Sequence, residues 1–403
     1  MNRDSLFPTY APANIRFAAG EGSWLTDTSG RRYLDFIAGI SVNTLGHAHP
    51  ALVAALHAQA QKLWHLSNMF DVPGQSELAH RYCELTFADR VFFTNSGAES
   101  IECALKSARR YHAANGAPHR IDVIGFEGAF HGRTYATINA AGNPKYLDGF
   151  GPPLPGYVQA PFGDLAALES LIGPSTAAIL IEPVQGEGGL RASPVSHLEA
   201  LRKICDEHGI LLIYDEVQCG AGRTGQLFAH QWSDKAAPDI MAVAKGVGGG
   251  FPMGMCLATE AVARHMTPGT HGTTYGGNAL AVAVGGVILD HVTAPGFLES
   301  VRTRADQLRE GLASLQSKYP GLIDGIRGKG LLTGFKLNGV PNTELRDMAR
   351  ESGLLVGVAG DNVIRLAPPL NVKPDEITEA ISKLASVLAA VSSQAGQLAS
   401  AAP

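Results

Sequence analysis

The chain has 403 residues, of which 45% are hydrophobic and 17% are charged, and its formal net charge is −5. These values are typical of a globular protein with two or three domains and argue against disorder. The negative charge and the lack of a Lys/Arg run exclude a surface that attracts nucleic acid or an anionic membrane, so neither partner is expected.

The cysteines and the N-terminal sequence favour a cytoplasmic location. The five cysteines are scattered without a CxxC pair, so we expect neither a disulfide framework nor a zinc site. Residues 1–10 include Asp4 and lack the apolar run of a signal peptide. No stretch approaches the roughly 18 apolar residues of a membrane span.

The first 50 residues predict a small hairpin rather than a domain. Residues 24–36 read as two short strands around an Asp/Ser/Gly turn. We expect residues 1–50 to pack with the small domain at the other end of the chain. A helix is predicted after Pro50, where apolar residues recur at near-helical spacing.

Residues 51–294 predict a large α/β domain. Short apolar runs alternate there with helical segments, and the runs are residues 91–93, 123–126, 179–181, 210–214, 240–243 and 256–258. This rhythm is typical of a mostly parallel central sheet wrapped by helices. Ligands bind at the carboxyl ends of such strands, so we expect functional side chains directly after each run.

Residues 295–403 predict a smaller α+β domain. Its expected elements are a helix over residues 298–318, strands over 330–337, 354–358 and 363–366, and a helix from Pro374. Residues 394–403 are rich in Ala and Ser, and we expect them to fray.

Two strand ends of the large domain carry an acid and a lysine. One apolar run ends in Asp215 and the next ends in Lys245, so the two side chains can reach one pocket. A salt bridge that closes the sheet edge would give the same pattern. The functional alternative is a pyridoxal 5′-phosphate (PLP) site, where a lysine amine binds the aldehyde and a carboxylate keeps the pyridine nitrogen protonated.

A third segment is a turn between a strand and a helix, formed by Ser96, Gly97 and Ala98. Exposed amides at a helix N-terminus bind phosphate, and the helix dipole favours a dianion. Ordinary N-capping explains most turns of this kind. The turn therefore indicates a phosphate site only in combination with Asp215 and Lys245.

Together these segments resemble the class III (ω-amino acid) aminotransferases of PLP fold type I, most closely their acetylornithine/succinylornithine branch. The resemblance covers nearly the whole chain. It rests on residues 10–13 (YAPA), 45–50 (LGHAHP), 95–99 (NSGAE), 130–134 (FHGRT), 182–189 (EPVQGEGG), 215–225 (DEVQCGAGRTG), 244–246 (AKG) and 271–278 (HGTTYGGN).

The resemblance implies how PLP would be held. Lys245 corresponds to the lysine that binds the cofactor as a Schiff base, and Asp215 to the partner of the pyridinium nitrogen. Gln218 resembles a contact to the phenolic oxygen. Phe130 resembles the aromatic that stacks on the ring, although its residue type alone would equally suit a core position.

The phosphate contacts follow from the same resemblance. The amides of Gly97 and Ala98, in the turn that begins at Ser96, would bind the phosphate. Thr274 resembles a residue that reaches the phosphate from a neighbouring subunit. This implies a homodimer with shared active sites.

Substrate contacts are also implied. Arg133 resembles the arginine that binds a substrate carboxylate with a planar fork, although a surface arginine would fit the residue type alone. Arg365 resembles a second such arginine, and Glu187 resembles the glutamate that pairs with it as a gate. Tyr10 is a further candidate for holding the amino donor.

The expected activity is transfer of the δ-amino group of N-acetylornithine to 2-oxoglutarate. Succinylornithine, N-succinyl-diaminopimelate, ornithine and 4-aminobutyrate remain alternative donors, because the matching blocks serve the shared chemistry. A racemase or decarboxylase is the alternative within the cofactor class, and a silent scaffold protein is the alternative outside it. His47 and His49 lack further ligands at metal spacing, so no metal is expected. The glycines at 248–250 lack the Lys-Ser/Thr of a phosphate-binding loop, so we expect them to form an ordinary turn.

Overall fold

A computed structural model describes residues 5–400, with side chains for residues 5–393. The strands are β1 (Phe17–Glu21), β2 (Trp24–Asp27), β3 (Arg32–Asp35), β4 (Arg90–Thr94), β5 (Asp122–Phe126), β6 (Tyr157–Ala160), β7 (Thr176–Ile181), β8 (Val184–Gln185), β9 (Arg191–Ala192), β10 (Leu211–Asp215), β11 (Ile240–Val243), β12 (Gly254–Ala258), β13 (Ile323–Lys329), β14 (Leu332–Leu337), β15 (Leu354–Leu355), β16 (Gly357–Ala359) and β17 (Val363–Leu366).

The helices are α1 (Ala38–Ser41), α2 (Pro50–Ala60), α3 (Gln75–Leu85), α4 (Gly97–Ala114), α5 (Tyr135–Ala141), α6 (Pro144–Leu147), α7 (Leu165–Leu171), α8 (Val195–His208), α9 (Glu260–Ala263), α10 (Ala279–Val292), α11 (Phe297–Lys318), α12 (Asn342–Glu351) and α13 (Pro374–Ser400). Two short 3-10 helices lie at Ala229–Trp232 and Lys245–Val247.

The central sheet has seven strands in the order β4-β12-β11-β10-β7-β5-β6. Strand β12 runs antiparallel to both of its neighbours, and all other pairs are parallel. Strands β7, β10, β11 and β12 are buried along their whole length, which explains their continuous apolar sequences. The predicted α/β fold with a mostly parallel sheet is therefore confirmed.

The sheet brings the candidate residues to one edge. Strands β10 and β11 are parallel neighbours, with Asp215 opposite Ala242, and Lys245 follows β11 directly after Ala244. The turn between β4 and α4 opens at the same end. Functional groups on three separate strands consequently converge on one place.

The C-terminal third of the chain forms a second core. The antiparallel sheet β13-β14-β17-β16 packs with α11 and α13, and the apolar core residues come from positions 301–388 together with Leu34 and Phe36. The N-terminal strands join this region, because β3 pairs in parallel with β15. The sheet β1-β2-β3-β15 thus combines residues from opposite ends of the sequence.

Some elements differ from the prediction. Strands β6 and β13 were not predicted, and their sequences YVQA and IDGIRGK carry polar residues or glycine on half-buried positions. The strand expected over 354–358 is split into β15 and β16, which join different sheets. Residues 394–400, which we expected to fray, continue α13 as helix, in keeping with the helix propensity of Ala, Gln and Leu; residues 401–403 lie outside the described residues.

The histidines, acids and cysteines of residues 5–400 form no metal site. No group of three or more His, Cys, Asp or Glu side chains is placed to hold a metal ion there. His47 instead bonds to Asp35 at 2.8 Å, and the ring of His49 lies 5.0 Å from that of His291. No single described helix is long and apolar enough to cross a membrane; α10 and α11 meet that test only as a pair bent by 71°.

Candidate active site

A cavity of about 360 Å³ lies at the carboxyl ends of β10 and β11. This volume is within the range of about 300–1,000 Å³ of small-ligand sites. Lys245, Asp215, Gln218, Phe130 and the turn at residues 96–98 all line it. The structure therefore brings together seven of the eight residues that the sequence assigned to the cofactor.

Lys245 is placed as a free amine. It forms no ion pair with any described residue, so the alternative of a salt bridge to Asp215 is wrong. Burial lowers the pKa of the Lys245 amine, and the nearby charge of Arg365 lowers it further, against the opposing charges of Glu187 and Asp215. A neutral amine is the nucleophile that a carbonyl cofactor requires.

Asp215 is buried and is held by two donors. The Nδ1 atom of His131 lies 2.7 Å from one carboxylate oxygen, and the Val217 N–H donates to the other at 3.0 Å. Burial lowers the pKa of His131, but the hydrogen bond and charge of Asp215 outweigh it and leave the pKa raised. The contact with His131 stabilises the carboxylate that a pyridinium nitrogen would need as its partner.

A second buried acid, Glu182, ties two loops of the cavity together. It follows β7 and accepts the N–H of Phe130 at 2.8 Å and that of Gly186 at 3.2 Å. Burial raises the pKa of Glu182 to about 7; the charge of His131 opposes this shift and that of Asp215 adds to it. Sequence reasoning missed both Glu182 and His131, although Glu182 directly follows a predicted strand.

The turn at residues 96–98 caps the N-terminus of α4 and leaves two backbone amides without an acceptor. The Glu99 N–H donates to Ser96 Oγ at 3.3 Å, while the Glu99 carboxylate accepts the Asn95 N–H at 2.7 Å, a reciprocal cap at the start of α4. The N–H groups of Gly97 and Ala98 have no acceptor among the described residues, and both residues line the cavity. An anion can bind there.

The volume of the cavity and its polar groups fit PLP. The Oε1 atom of Gln218 is buried without a hydrogen-bond partner, so a ligand that donates a hydrogen bond, such as a hydroxyl group, would satisfy it. A Cβ added to Gly97 would come within 2.6 Å of Val217, so the turn already packs as closely as a glycine allows. Lys245 is placed to bind the aldehyde of PLP, and Asp215 to bind its ring nitrogen. The free amides of the turn are suited to its phosphate.

A second cavity of about 370 Å³ surrounds Arg133. Arg133 has no ion-pair partner among the described residues, and its Cζ atom lies 4.1 Å from the ring centroid of Tyr146. Tyr10 faces the same space, so the structure brings these two predicted substrate contacts together. The full lining is Thr9, Tyr10, Arg133, Tyr135, Ile138, Tyr146 and Phe150.

The other predicted arginine is paired. Arg365 on β17 is buried, and its Nη1 atom lies 2.5 Å from Oε1 of Glu187. The same nitrogen donates to the Gly186 carbonyl at 3.3 Å. Glu187 lines the first cavity, so the ion pair stands at the edge of the proposed PLP site.

Thr274 does not line the cavity of its own chain. Its side chain is exposed, and the preceding Thr273 is fixed by Asn95 at 3.3 Å and by Asn68 at 2.7 Å. The prediction that Thr274 serves a neighbouring subunit stays a prediction, since a single chain is described.

A mostly parallel seven-stranded sheet with a cavity at the carboxyl ends of its strands is the architecture of the PLP-dependent transferase fold type I. A family profile described as "Aminotransferase class-III" matches residues 8–388. The chain belongs to the class III aminotransferase family, which confirms the resemblance found in the sequence and implies PLP as cofactor.

Named relatives include an acetylornithine aminotransferase of Mesorhizobium japonicum, 58% identical over 95% of this chain and 96% of that protein. The crystal structure of N-acetylornithine aminotransferase from Stenotrophomonas maltophilia K279a has a TM-score of 0.84 at 36% identity, covering 96% and 98% of the two chains. The ornithine aminotransferase of Toxoplasma gondii ME49 has a TM-score of 0.92 at 31% identity, covering 97% and 94%.

Proposed function

We propose that this protein transfers the δ-amino group of N-acetylornithine to 2-oxoglutarate, giving N-acetylglutamate 5-semialdehyde and glutamate, a reaction of arginine biosynthesis. Membership of the class III family and the similarity to acetylornithine aminotransferases support the reaction type. The second cavity, whose one charged lining residue among those described is Arg133, carries the choice of donor.

When bound, PLP supplies an electron sink for the bond that breaks at the substrate carbon. Lys245 Nζ would hold the cofactor aldehyde and, as a free amine, would take up and return the proton of the substrate carbon. Because burial lowers the pKa of Lys245, the released amine is available as a base nearer neutrality than a free lysine. Asp215 would keep the ring nitrogen protonated, and His131 bonds to the carboxylate of Asp215 from the protein side.

The second cavity suits an N-acylated donor better than free ornithine. Arg133 would bind the α-carboxylate of the donor with two parallel hydrogen bonds. The α-ammonium of free ornithine would then lie beside Arg133 with no carboxylate among the described lining residues to pair with it. A neutral amide has no such cost, and the aromatic rings of Tyr146 and Phe150 offer it an apolar surface.

The Arg365–Glu187 pair would let one site accept two substrates. While Glu187 neutralises Arg365, the ω-amino donor enters with its carboxylate at Arg133. When Glu187 moves aside, Arg365 can bind the α-carboxylate of glutamate or 2-oxoglutarate. The two arginines favour exchange between carboxylate substrates over racemisation or decarboxylation.

We also propose a homodimer. Exposed apolar side chains lie close to Thr274, since Tyr275 is 60% exposed and its ring centroid is 5.1 Å from that of His65. Trp64, Met69 and Phe70, in the same chain segment as His65, are 63–81% exposed. An apolar surface of this kind is typical of a protein interface, and a second copy would place its own Thr274 near this cavity.

The test is a comparison of amino donors. The visible absorption of the PLP-loaded protein should decrease with N-acetylornithine and return with 2-oxoglutarate, while free ornithine reacts more slowly. N-succinylornithine, N-succinyl-diaminopimelate and 4-aminobutyrate complete the series. Lys245→Ala is the matched inactive control. A higher kcat/KM for free ornithine than for N-acetylornithine would contradict the proposal.

A further inference from the structure

The guanidinium of Arg133 lies between two aromatic rings. Its Cζ atom is 4.1 Å from the ring centroid of Tyr146 and 5.4 Å from that of Phe130. The two rings are themselves in edge-to-face contact, with centroids 5.7 Å apart and planes at 87°. Arg133 therefore lies against a corner built from two perpendicular faces.

Arg133 has no polar restraint of its own. Its residue is exposed, and among the described residues its guanidinium forms neither an ion pair nor a side-chain hydrogen bond. A flexible arginine loses side-chain entropy when it binds a carboxylate, and preorganisation reduces that loss. Aromatic faces hold the guanidinium plane while its N–H edges remain free for a planar ligand.

The chain positions Tyr146 through a small, well-capped element. Gly142 ends α5 in the left-handed region, with φ at +63°. The Asn143 side chain accepts the N–H of Lys145 at 3.0 Å, and Pro144 begins α6. On the opposite side, the Phe130 backbone is fixed by its hydrogen bond to Glu182.

We propose that Tyr146 is a positioning residue that, together with Phe130, orients Arg133 for the substrate carboxylate. The inference rests on the proposed function and extends it, because it assigns carboxylate affinity to a residue that need not touch the carboxylate. The phenol oxygen has no part in this role, so a phenylalanine should serve equally.

The test uses Tyr146→Ala and Tyr146→Phe in the PLP-loaded enzyme. We expect Tyr146→Ala to raise KM for both carboxylate substrates by about 2- to 5-fold, the effect of losing a cation–π contact at an exposed site. The kcat value should stay within about threefold, since the reacting atoms are untouched. Tyr146→Phe should behave as the parent does.

The binding of glutarate supplies a readout that needs no turnover. Its dissociation constant for the PLP-loaded enzyme should rise with Tyr146→Ala by the same factor as KM. In an Arg133→Lys background the alanine substitution should add little, because an ammonium makes less use of the stacked rings. If the parent enzyme binds glutarate but does not react with N-acetylornithine, the proposed function is contradicted. The effect of Tyr146→Ala on glutarate binding can still be measured in that case.

Tyr157→Ala is the matched control. Tyr157 stacks with Arg109 at 5.0 Å but lines neither cavity, so its loss should leave KM and glutarate binding at parent values. The proposal is overturned if Tyr146→Ala leaves glutarate affinity unchanged. It is also overturned if the loss is as large in the Arg133→Lys background, or if Tyr146→Phe loses as much as Tyr146→Ala.

Discussion

Lys245 adopts a φ of +50°, a backbone conformation that residues other than glycine rarely adopt. Such a conformation costs roughly 1–3 kcal/mol and persists where its surroundings determine it. Thr44 Oγ1 donates to the carbonyl of Gly246 at 2.7 Å, and the Gly248 N–H donates to Lys245 at 3.0 Å. These bonds fix the backbone at the point where the amine enters the cavity.

The charge of Glu187 should matter unequally to the two halves of the reaction. Glu187→Gln leaves Arg365 without its neutralising partner, so we expect the half-reaction with N-acetylornithine to slow by about tenfold, the effect of losing a hydrogen bond between charged groups. The half-reaction with glutamate should change less. Single-turnover absorbance changes measure each half separately, and equal losses in both would contradict the gate.

At the scale of elements, the close packing of the β4–α4 turn should control cofactor affinity. A Cβ at position 97 would press on Val217, so Gly97→Ala should weaken PLP binding by roughly tenfold or more, the effect of 1–3 kcal/mol of overpacking. Titration of the cofactor-free protein with PLP measures the change.

Gly286→Ala is the control for that substitution. A Cβ at position 286, inside α10, would meet no atom within 4 Å. We therefore expect it to stabilise the protein by up to about 1 kcal/mol through helix propensity. Its affinity for PLP should equal that of the parent, and a weakened affinity would show that any added methyl group disturbs the site.

The carboxylate of Glu216 anchors the segment that follows β10. It accepts the N–H groups of Ala229 at 2.6 Å and His230 at 3.2 Å. Burial raises the pKa of Glu216 from 4.5 to about 8; the two backbone hydrogen bonds oppose this shift, and the charge of Asp215 adds to it. The folded state thus retains a proton that the unfolded chain has released.

Stability should depend on pH through this group. The contribution of the raised pKa is fully present below 4.5 and is lost as the pH rises through about 8. Between about pH 5.5 and pH 8.5, the parent should lose about 3 kcal/mol more unfolding free energy than Glu216→Gln. Urea unfolding at both pH values measures this difference, and parallel changes in the two proteins would refute the raised pKa.

Apolar runs made most of the central sheet predictable. Strand β11 appears with the bounds that its sequence indicates, because buried strands leave an uninterrupted hydrophobic signal. Strand β13 was missed since its pattern, with glycine and arginine on half-buried positions, lacks that signal. The antiparallel direction of β12 was not predictable, because an apolar run carries no information on direction.

Some residues of the candidate site were predictable from the sequence, and others were not. Lys245 and Asp215 follow strong strand signals, and the cavity contains both. His131 and Tyr146 act through their contacts with Asp215 and Arg133, and such contacts between distant segments leave no mark in a single sequence. Their identification required the three-dimensional arrangement.

For the whole molecule, hybrid dimers would test whether Thr274 acts across subunits. Co-expression of Lys245→Ala chains with Thr274→Ala chains should give dimers with one intact site, made from Lys245 of one chain and Thr274 of the other. Random pairing should restore about one quarter of the parent activity at limiting PLP, as follows from two-fold symmetry. Activity no higher than that of the Thr274→Ala protein alone would place Thr274 in its own site.

The union of β3 with β15 has a consequence for synthesis on the ribosome. Ser23 Oγ, beside these strands, bonds to Glu376, which lies 353 positions later. At roughly 5–20 residues per second, translation leaves the N-terminal strands without their partner for about 20–70 seconds. During that interval the nascent chain exposes an open strand edge. Slower translation, or the loss of a holdase chaperone, should therefore lower the yield of native protein, although neither changes the stability of the finished fold.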